Sequence, residues 1–98
     1  MDVSVNWSPA AVEDLEEIAE YIARDSRRYA TSFVTRVLSI ASQIERFPYS
    51  GRIVPELNNE LIRERFVYQY RLIYRILPDS VLILSLIHGK RLLPIDDL

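Results

Sequence analysis

Residues 62–94, IRERFVYQYRLIYRILPDSVLILSLIHGKRLLP, decide the fold because they combine two apolar strand patterns with arginines at alternate positions. Successive side chains of a β-strand point to opposite faces, so Arg63 shares a face with Arg65, and Arg71 shares a face with Arg75. The intervening positions of the second strand are apolar and suit packing against helices, which leaves its arginines facing outward. The stretch therefore predicts a small sheet with an exposed basic stripe, which we expect to bind an anion.

The composition is that of one folded domain. The chain has 98 residues, of which 49% are hydrophobic, and we expect a single domain over residues 1–98. Without cysteine and with one histidine, it has no thiolate metal site, and we expect no metal. The phosphate-binding glycine patterns are absent, so we expect no nucleotide cofactor. With neither a leader pattern nor an apolar run of about 20 residues, the sequence predicts a cytoplasmic protein.

The net charge of −2 hides two oppositely charged halves. Residues 1–45 carry eight acidic and four basic side chains, whereas residues 46–91 carry eight basic and four acidic ones. The two halves are therefore expected to form electrically different surfaces.

The N-terminal half reads as a strand followed by two helices. Residues 3–7 alternate apolar and polar side chains, which predicts a strand. Ser8 suits a helix N-cap and Pro9 suits the first helical position, so a helix is expected from about 9 to 24. A longer apolar repeat at helical spacing follows and ends at Pro48, which predicts a second helix packed against the first as a hairpin.

The C-terminal half reads as strands. We expect extended segments at about 52–54 and 62–67, and strands near 69–77 and 80–88 that are joined by a turn at Pro78-Asp79. The predicted class is α+β with the order β-α-α-β-β-β. The N-terminal strand and helical hairpin then pack on one face of a small, mostly antiparallel sheet.

The last strand is apolar on both faces. Two helices cover only one face of a sheet this small, so something else should cover the other side of residues 81–87. We interpret this as the site of a protein partner. The alternative is that the strand is central and loops shield it.

The ordered motifs of the chain resemble the RelE/ParE toxin superfamily over nearly its whole length. No single piece is specific, but their order within 98 residues is. The motifs are Trp7-Ser8-Pro9 with Asp14-Leu15, Pro48-x-x-Gly51-Arg52, the Arg63 segment, Tyr70-Arg71-Leu72-Ile73-Tyr74-Arg75, and His88-Gly89-x-Arg91.

The resemblance implies the toxin of a type II toxin–antitoxin module. Such toxins inhibit growth until a cognate antitoxin binds them, typically through a flexible segment that folds along the toxin. We expect that segment to be rich in Asp and Glu between apolar anchors. The expected antitoxin-binding residues are Val81, Ile83, Ile87, Arg63 and Arg71.

One branch of the superfamily, the RelE-type toxins, cuts messenger RNA on the ribosome. That cleavage needs a base for the ribose 2′-hydroxyl, cations for the phosphate and an acid for the leaving oxygen. Similarity to RelE-type toxins maps Arg71 and Arg91 onto phosphate-stabilising arginines and leaves His88 as a proton-transfer candidate. The tyrosine that these toxins often carry beyond Gly89-Lys90-Arg91 is missing from residues 92–98.

The other branch, the ParE-type toxins, inhibits DNA gyrase so that DNA breaks accumulate. The ending His88-Gly89-x-Arg91 followed by Pro94 is more similar to this type, although Leu92 stands where an acid is often found. We therefore favour gyrase inhibition over ribosome-dependent mRNA cleavage. The residues expected to contact gyrase or RNA are Arg63, Arg65, Arg71, Arg75, Lys90 and Arg91.

Plainer roles for these residues stay open. The strand arginines can instead pair with Glu56, Glu60 or Glu64, without touching a target. A histidine at a strand end before a glycine is most often a structural residue, which is the simplest role for His88.

Overall fold

In the computed structural model, which describes residues 3–91, two helices pack on one face of a five-stranded sheet. The elements are β1 (Ser4–Trp7), α1 (Pro9–Asp25), α2 (Arg27–Arg46), a 3₁₀ turn (Pro48–Ser50), β2 (Arg52–Ile53), β3 (Ile62–Val67), β4 (Tyr70–Ile76) and β5 (Ser80–His88). The sheet order is β1-β5-β4-β3-β2, with β1 parallel to β5 and all other neighbours antiparallel. The predicted α+β class is confirmed.

The predicted order lacks one strand. Arg52 and Ile53 pair with Glu64 and Arg63, so the extended segment after the 3₁₀ turn is a strand, and four strands rather than three follow the helices. A two-residue strand carries too little alternation to be separated from a loop by its sequence pattern.

Both helices are capped by a serine, α1 by the predicted Ser8 and α2 by Ser26. Ser8 Oγ accepts a hydrogen bond from the Ala11 N–H at 3.1 Å, and Ser26 Oγ accepts one from the Tyr29 N–H at 3.2 Å. Each bond satisfies one of the donors that a helix N-terminus leaves unpaired. The second helix ends just before Pro48, which cannot continue it. The predicted hairpin is thus confirmed.

The main core lies between the helices and the sheet. α2 contributes one buried face, and the sheet contributes the alternate apolar positions of its two central strands. Its fully or nearly fully buried members include Phe33, Val37, Ile40, Ile44, Leu72, Tyr74, Val81, Ile83 and Leu86.

α1 is tied to β5 by two polar side chains where the strand is irregular. The pairing of β4 with β5 shifts register between Ile73 and Tyr74. Such an irregularity takes backbone groups out of the ladder. Ser8 Oγ donates to the Leu84 carbonyl and Asp14 Oδ2 accepts from the Leu86 N–H, both at 3.0 Å. Asp14 thus anchors α1 to the sheet rather than standing on a solvated helix face.

A second, smaller core lies on the other face of the sheet. Val54, Ile62 and Ile73 are buried there. Three half-buried residues, Leu57, Leu84 and Ile87, pack against them. The segment between β2 and β3 supplies Val54 and Leu57, so a loop covers part of the face that we assigned to a partner.

Within residues 3–91, no helix is long and apolar enough to span a bilayer.

Candidate functional site

The arginines of β3 and β4 lie on opposite faces of the sheet. Arg63 stands opposite Tyr74 and Arg65 opposite Leu72, so both are on the helix side. Arg71 precedes Leu72 in β4 and therefore points to the other face, as does Arg75 opposite Ile62. The predicted pairs are confirmed, but the prediction of one outward basic stripe is wrong.

Arg71 is buried in a network of ion pairs. Its side chain is only 5% exposed, and its Nη1 and Nη2 each donate to one oxygen of Glu56 at 2.8 Å. Its Nε donates to Glu64 Oε1 at 2.7 Å, and Glu64 has no exposed side-chain surface. The second oxygen of Glu64 accepts from Arg52 Nε. Two arginines and two glutamates thus link the loop after β2 to the strands β2, β3 and β4.

The network determines what Arg71 can do. The hydrogen bonds from Glu56 and Glu64 raise the pKa of Arg71 against the opposing effect of burial, so it is always charged. Two carboxylates neutralise that charge and occupy its donors in a bidentate pair. The plainer role that the sequence left open, pairing with Glu56 and Glu64, is the one that the structure gives Arg71.

Arg63 and Arg65 hold the turn that follows α2. Arg63 Nε donates to the Glu60 carbonyl at 2.9 Å and its Nη1 to the Gly51 carbonyl at 3.1 Å. Arg65 donates to Ser50 Oγ at 3.1 Å and to Gln43 Oε1 at 2.9 Å. Both side chains are half-buried, so each keeps some surface for a partner.

Tyr74 and Gly51 are structural residues of the same turn. The buried Tyr74 hydroxyl donates to the Pro48 carbonyl at 2.6 Å and accepts from the Gly51 N–H at 3.0 Å. Burial raises the pKa of Tyr74. A Cβ on Gly51 would lie 2.6 Å from both the Glu64 carbonyl oxygen and the Tyr74 hydroxyl, so only glycine fits. The apolar positions of the second strand predict that Tyr74 is buried, but no sequence pattern indicates these two bonds.

His88 lies on the helix side of the sheet, away from Arg71. It pairs with Tyr70, and its ring lies 5.4 Å from the Tyr70 ring in an edge-on arrangement. His88 Nδ1 accepts the Lys90 N–H at 3.2 Å. A cleft of about 200 Å³ beside it is lined by Asp14, Glu17, Ile18, Tyr70, Leu86, Ile87, His88 and Arg91.

Arg91, the last arginine of the chain, contacts both neighbourhoods. Its carbonyl accepts from Arg71 Nη1 at 3.2 Å, and the residue also lines the cleft beside His88. Lys90 and Arg91 are both exposed. Leu92 and Pro94, which entered the comparison of toxin types, lie outside the described residues.

The apolar residues expected to bind an antitoxin are largely hidden. Val81 and Ile83 have no exposed surface because they lie under the helices, so neither can contact a partner while the fold is intact. Ile87 is half-buried on the opposite face. We therefore correct the expectation of an accessible apolar strand, which treated both faces of β5 as equivalent.

An exposed aromatic groove lies instead between the helical hairpin and the β3–β4 turn. It encloses about 470 Å³, and Tyr21, Tyr29 and Tyr68 on its walls are each more than 60% exposed. Phe33 forms its floor. The centre of the Phe33 ring lies 6.3 Å from that of Tyr68 and 5.3 Å from that of Tyr70. The complete lining is Tyr21, Ile22, Tyr29, Ser32, Phe33, Tyr68, Gln69 and Tyr70.

Residues 5–93 match the protein family described as "ParE toxin of type II toxin-antitoxin system, parDE". Among curated proteins, none matches the chain by sequence.

Three solved structures share the fold. The chromosomal ParDE toxin–antitoxin system from Pseudomonas aeruginosa superposes with a TM-score of 0.74 at 16% identity, covering 90% of this chain and 97% of that one. The RelBE2 toxin–antitoxin complex from Mycobacterium tuberculosis gives 0.63 at 22% identity over 90% and 99% of the two chains. The YoeB dimer from Staphylococcus aureus gives 0.63 at 18% identity over 90% and 98%.

Proposed function

Because the chain belongs to the ParE toxin family of type II toxin–antitoxin systems, we propose that it inhibits growth by acting on DNA gyrase until its cognate antitoxin binds it. The observation that carries the choice of target is that two of the candidate nuclease groups, Arg71 and His88, do not converge. Arg71 lies on one face of the sheet, while His88 lies on the other.

The chemistry of RNA cleavage explains why this separation supports gyrase as the proposed target. In-line attack of a 2′-hydroxyl needs the base, the phosphate-binding cation and the acid around one phosphorus atom. The charge of Arg71 is neutralised by its ion pairs with Glu56 and Glu64. The cleft around His88 is lined by Asp14 and Glu17 together with one arginine, Arg91, so two acids there oppose the attraction of a phosphate. Both features favour a protein that acts by surface contact.

Gyrase inhibition by contact uses residues that can reach a partner. Lys90 and Arg91 are exposed at the end of β5, and Arg63, Arg65 and Arg75 keep part of their surface. Arg71 is not in this set because it is buried. The proposed gyrase contact is therefore centred on the exposed basic end of β5, Lys90 and Arg91, with graded contributions from the other partly exposed arginines at separate positions of the sheet.

The antitoxin is proposed to use the aromatic groove. Tyr21, Tyr29 and Tyr68 form a concave apolar surface, and an exposed groove of this kind fits the apolar anchors of a segment that folds on binding. Acidic residues between the anchors would reach the partly exposed Arg63 and Arg65. This replaces the hidden Val81 and Ile83 as the apolar contact.

The experiment is a supercoiling assay with DNA gyrase, relaxed plasmid and antitoxin-free protein. We expect the wild type to block supercoiling and to accumulate linear DNA, and Arg91→Ala to weaken inhibition because it removes an exposed contact charge. Arg28→Ala is the matched control, since Arg28 is an exposed arginine on α2 outside the basic end. Folded wild-type protein that leaves gyrase unaffected would contradict the proposal.

One observation favours the alternative, ribosome-dependent mRNA cleavage. The Arg71 guanidinium touches the Arg91 backbone, so two positions that resemble RelE-type phosphate ligands are neighbours. If cleavage is the activity, Arg71→Ala and Arg91→Ala should each abolish it in a translating extract while antitoxin binding survives. Wild-type cleavage by both variants would remove this alternative.

A further inference from the structure

Three exposed aromatic rings at one end of the molecule each carry an arginine. The Arg46 guanidinium carbon lies 5.8 Å from the centre of the Phe47 ring, that of Arg52 lies 5.2 Å from Phe66, and that of Arg63 lies 4.9 Å from Tyr49. Phe47, Tyr49 and Phe66 are 62%, 60% and 50% exposed. We call these six residues the arginine–aromatic rim.

Consecutive elements of the chain bring the rim together. Arg46 ends α2, Phe47 caps it, Tyr49 lies in the 3₁₀ turn, and Arg52 lies in β2. β2 is only two residues long and pairs with Arg63 and Glu64, so it covers only part of the outer edge of β3. The rest of that edge, from Arg65 to Val67, extends beyond β2, and Phe66 lies on it.

The rim is positively charged on its surface. Arg46, Arg52, Arg63 and Arg65 lie at this end of the sheet. The acid paired with Arg52 is Glu64, which has no exposed side-chain surface and also neutralises Arg71. Glu45 and Glu60 are neighbours of the rim as well, but the four arginines outnumber these two acids, so positive charge is in excess where solvent reaches the rim.

The hydrogen bonds around the rim leave it rich in donors. The acceptors next to it, namely the Gly51 and Glu60 carbonyls, Ser50 Oγ and Gln43 Oε1, already accept from Arg63 and Arg65. Each guanidinium has five N–H donors, more than these bonds use. A guanidinium stacked on a ring keeps its edges directed outward, toward phosphate oxygens.

We propose that the arginine–aromatic rim binds single-stranded DNA. Guanidinium edges bind the phosphates, and unpaired bases stack on the exposed rings and on the guanidinium planes. The choice of DNA rests on the proposed gyrase target, whereas the binding chemistry does not. Gyrase is absent from the test below, so this inference and the proposed function can fail separately.

A flexible polymer of phosphates and bases suits the rim better than an acidic peptide. Arg63 and Arg65 are two residues apart on one strand, hence about 7 Å, and both are on the helix side of the sheet. Arg52 stands opposite Glu64, so it points to the other face, where Phe66 also lies, and the rim wraps around the edge of the sheet. Cations beside flat rings on both sides of this edge match a flexible chain that alternates phosphates and planar bases. A purely acidic peptide would use the charges and leave three rings in water, whereas the proposed antitoxin segment places its apolar anchors in the aromatic groove.

The test measures fluorescence anisotropy of a labelled oligothymidylate of about 12 nucleotides, a length within the site sizes of such surfaces. The full-length, antitoxin-free wild type is compared with Arg46→Gln/Tyr49→Ala. The matched control is Arg36→Gln/Leu38→Ala, which removes one exposed charge and one exposed large apolar side chain from α2. Each variant is first shown to melt within a few degrees of the wild type.

The rim variant is expected to raise Kd about tenfold or more, and the control less than about twofold, since one stacked base contributes that much. Its plot of log Kd against log salt should be shallower by about 0.7 because one phosphate contact is lost. Equal losses in both variants, or no binding by wild type at about 50 mM salt, would overturn the proposal.

Three competitors sharpen the test. A duplex without unpaired bases should compete poorly, and equal competition by it would overturn the stacking of bases on the rings. An RNA of the same length that binds more than about tenfold tighter would overturn the assignment to DNA. A polyglutamate peptide that displaces the oligonucleotide at equal charge concentration would identify the rim as an acidic-peptide surface instead.

Discussion

Arginine is used in opposite ways by two regions that share strand β3. On the sheet face that carries Glu64, Arg71 lies inside a network of carboxylates and has almost no exposed surface. At the edge, Arg46 and Arg63 lie on exposed rings. Arg52 belongs to both regions, because it pairs with Glu64 yet lies over the Phe66 ring with its side chain 58% exposed. The difference teaches that the position of the acids, rather than that of the arginines, separates structural charge from charge that is available to a partner.

The physical basis of the contrast is desolvation. A buried guanidinium is stable only when acids neutralise it, and once neutralised it has little attraction left for an external phosphate. An exposed guanidinium stacked on a ring gains only about 0.5–1 kcal/mol and keeps its donors. The two regions therefore respond differently to substitution, in stability on one side and in binding on the other.

The largest effect is expected for Arg71→Ala. Removing it leaves Glu64 fully buried with Arg52 as its partner, and breaking a buried pair in this way costs about 3–5 kcal/mol. Urea unfolding followed by circular dichroism measures the loss. Arg75→Ala is the control on the same face, because Arg75 is half-buried, and it should cost less than about 1 kcal/mol. Equal losses would show that Arg71 is no more structural than its neighbour.

A smaller effect is expected for Tyr74→Phe. The change deprives the buried Gly51 N–H and the Pro48 carbonyl of their partner, which costs about 1–3 kcal/mol. The pH dependence gives a second measurement. Because the pKa of Tyr74 is raised in the folded state, its contribution is fully present below about pH 10 and is lost as the pH rises through the folded pKa.

The free energy of unfolding of the wild type should therefore fall more steeply above that pH than the free energy of Tyr74→Phe does. Parallel curves for the two proteins would contradict the assignment of the shift to Tyr74.

The smallest effect on stability is expected for Tyr49→Ala at the rim. Tyr49 is 60% exposed, so its removal should change the free energy of unfolding by no more than about 0.5 kcal/mol. The same variant should lose DNA binding, which is the reverse of Arg71→Ala, where the expected loss is in stability. A large loss of stability would show that Tyr49 is a structural residue and would contradict the difference between the rim and the buried network of Arg71.

Local signals of the sequence predicted most of the fold. Ser8, Pro9 and Pro48 delimit the helices through capping and missing donors, and alternation marks β3 and β4. The pairing partner of Arg71 was harder to predict, since Glu56 reaches it only because the loop after β2 folds back on the sheet. Glu64 and Glu60 lie 7 and 11 residues before Arg71, and no local pattern shows which of them pairs with it.

The candidate site was less predictable than the fold because its residues are divided between the two faces of the sheet. Strand alternation places Arg71 and Tyr70 on opposite faces. The face on which His88 lies depends on the register between β4 and β5, and that pairing contains an irregularity. Val81 and Ile83 resemble Leu82 and Leu84 in composition, so the pattern alone gave no sign of which pair lies under the helices.

The measurement that tests the account most directly is gyrase inhibition by Arg71→Met/Glu64→Met. Replacing a buried ion pair by apolar side chains of similar volume is often neutral for stability, so this variant separates the charge of Arg71 from the integrity of the fold. If Arg71 is structural and the toxin acts by surface contact, the folded variant inhibits supercoiling within about twofold of the wild type. A folded variant that no longer inhibits gyrase would contradict that claim and return Arg71 to the functional site.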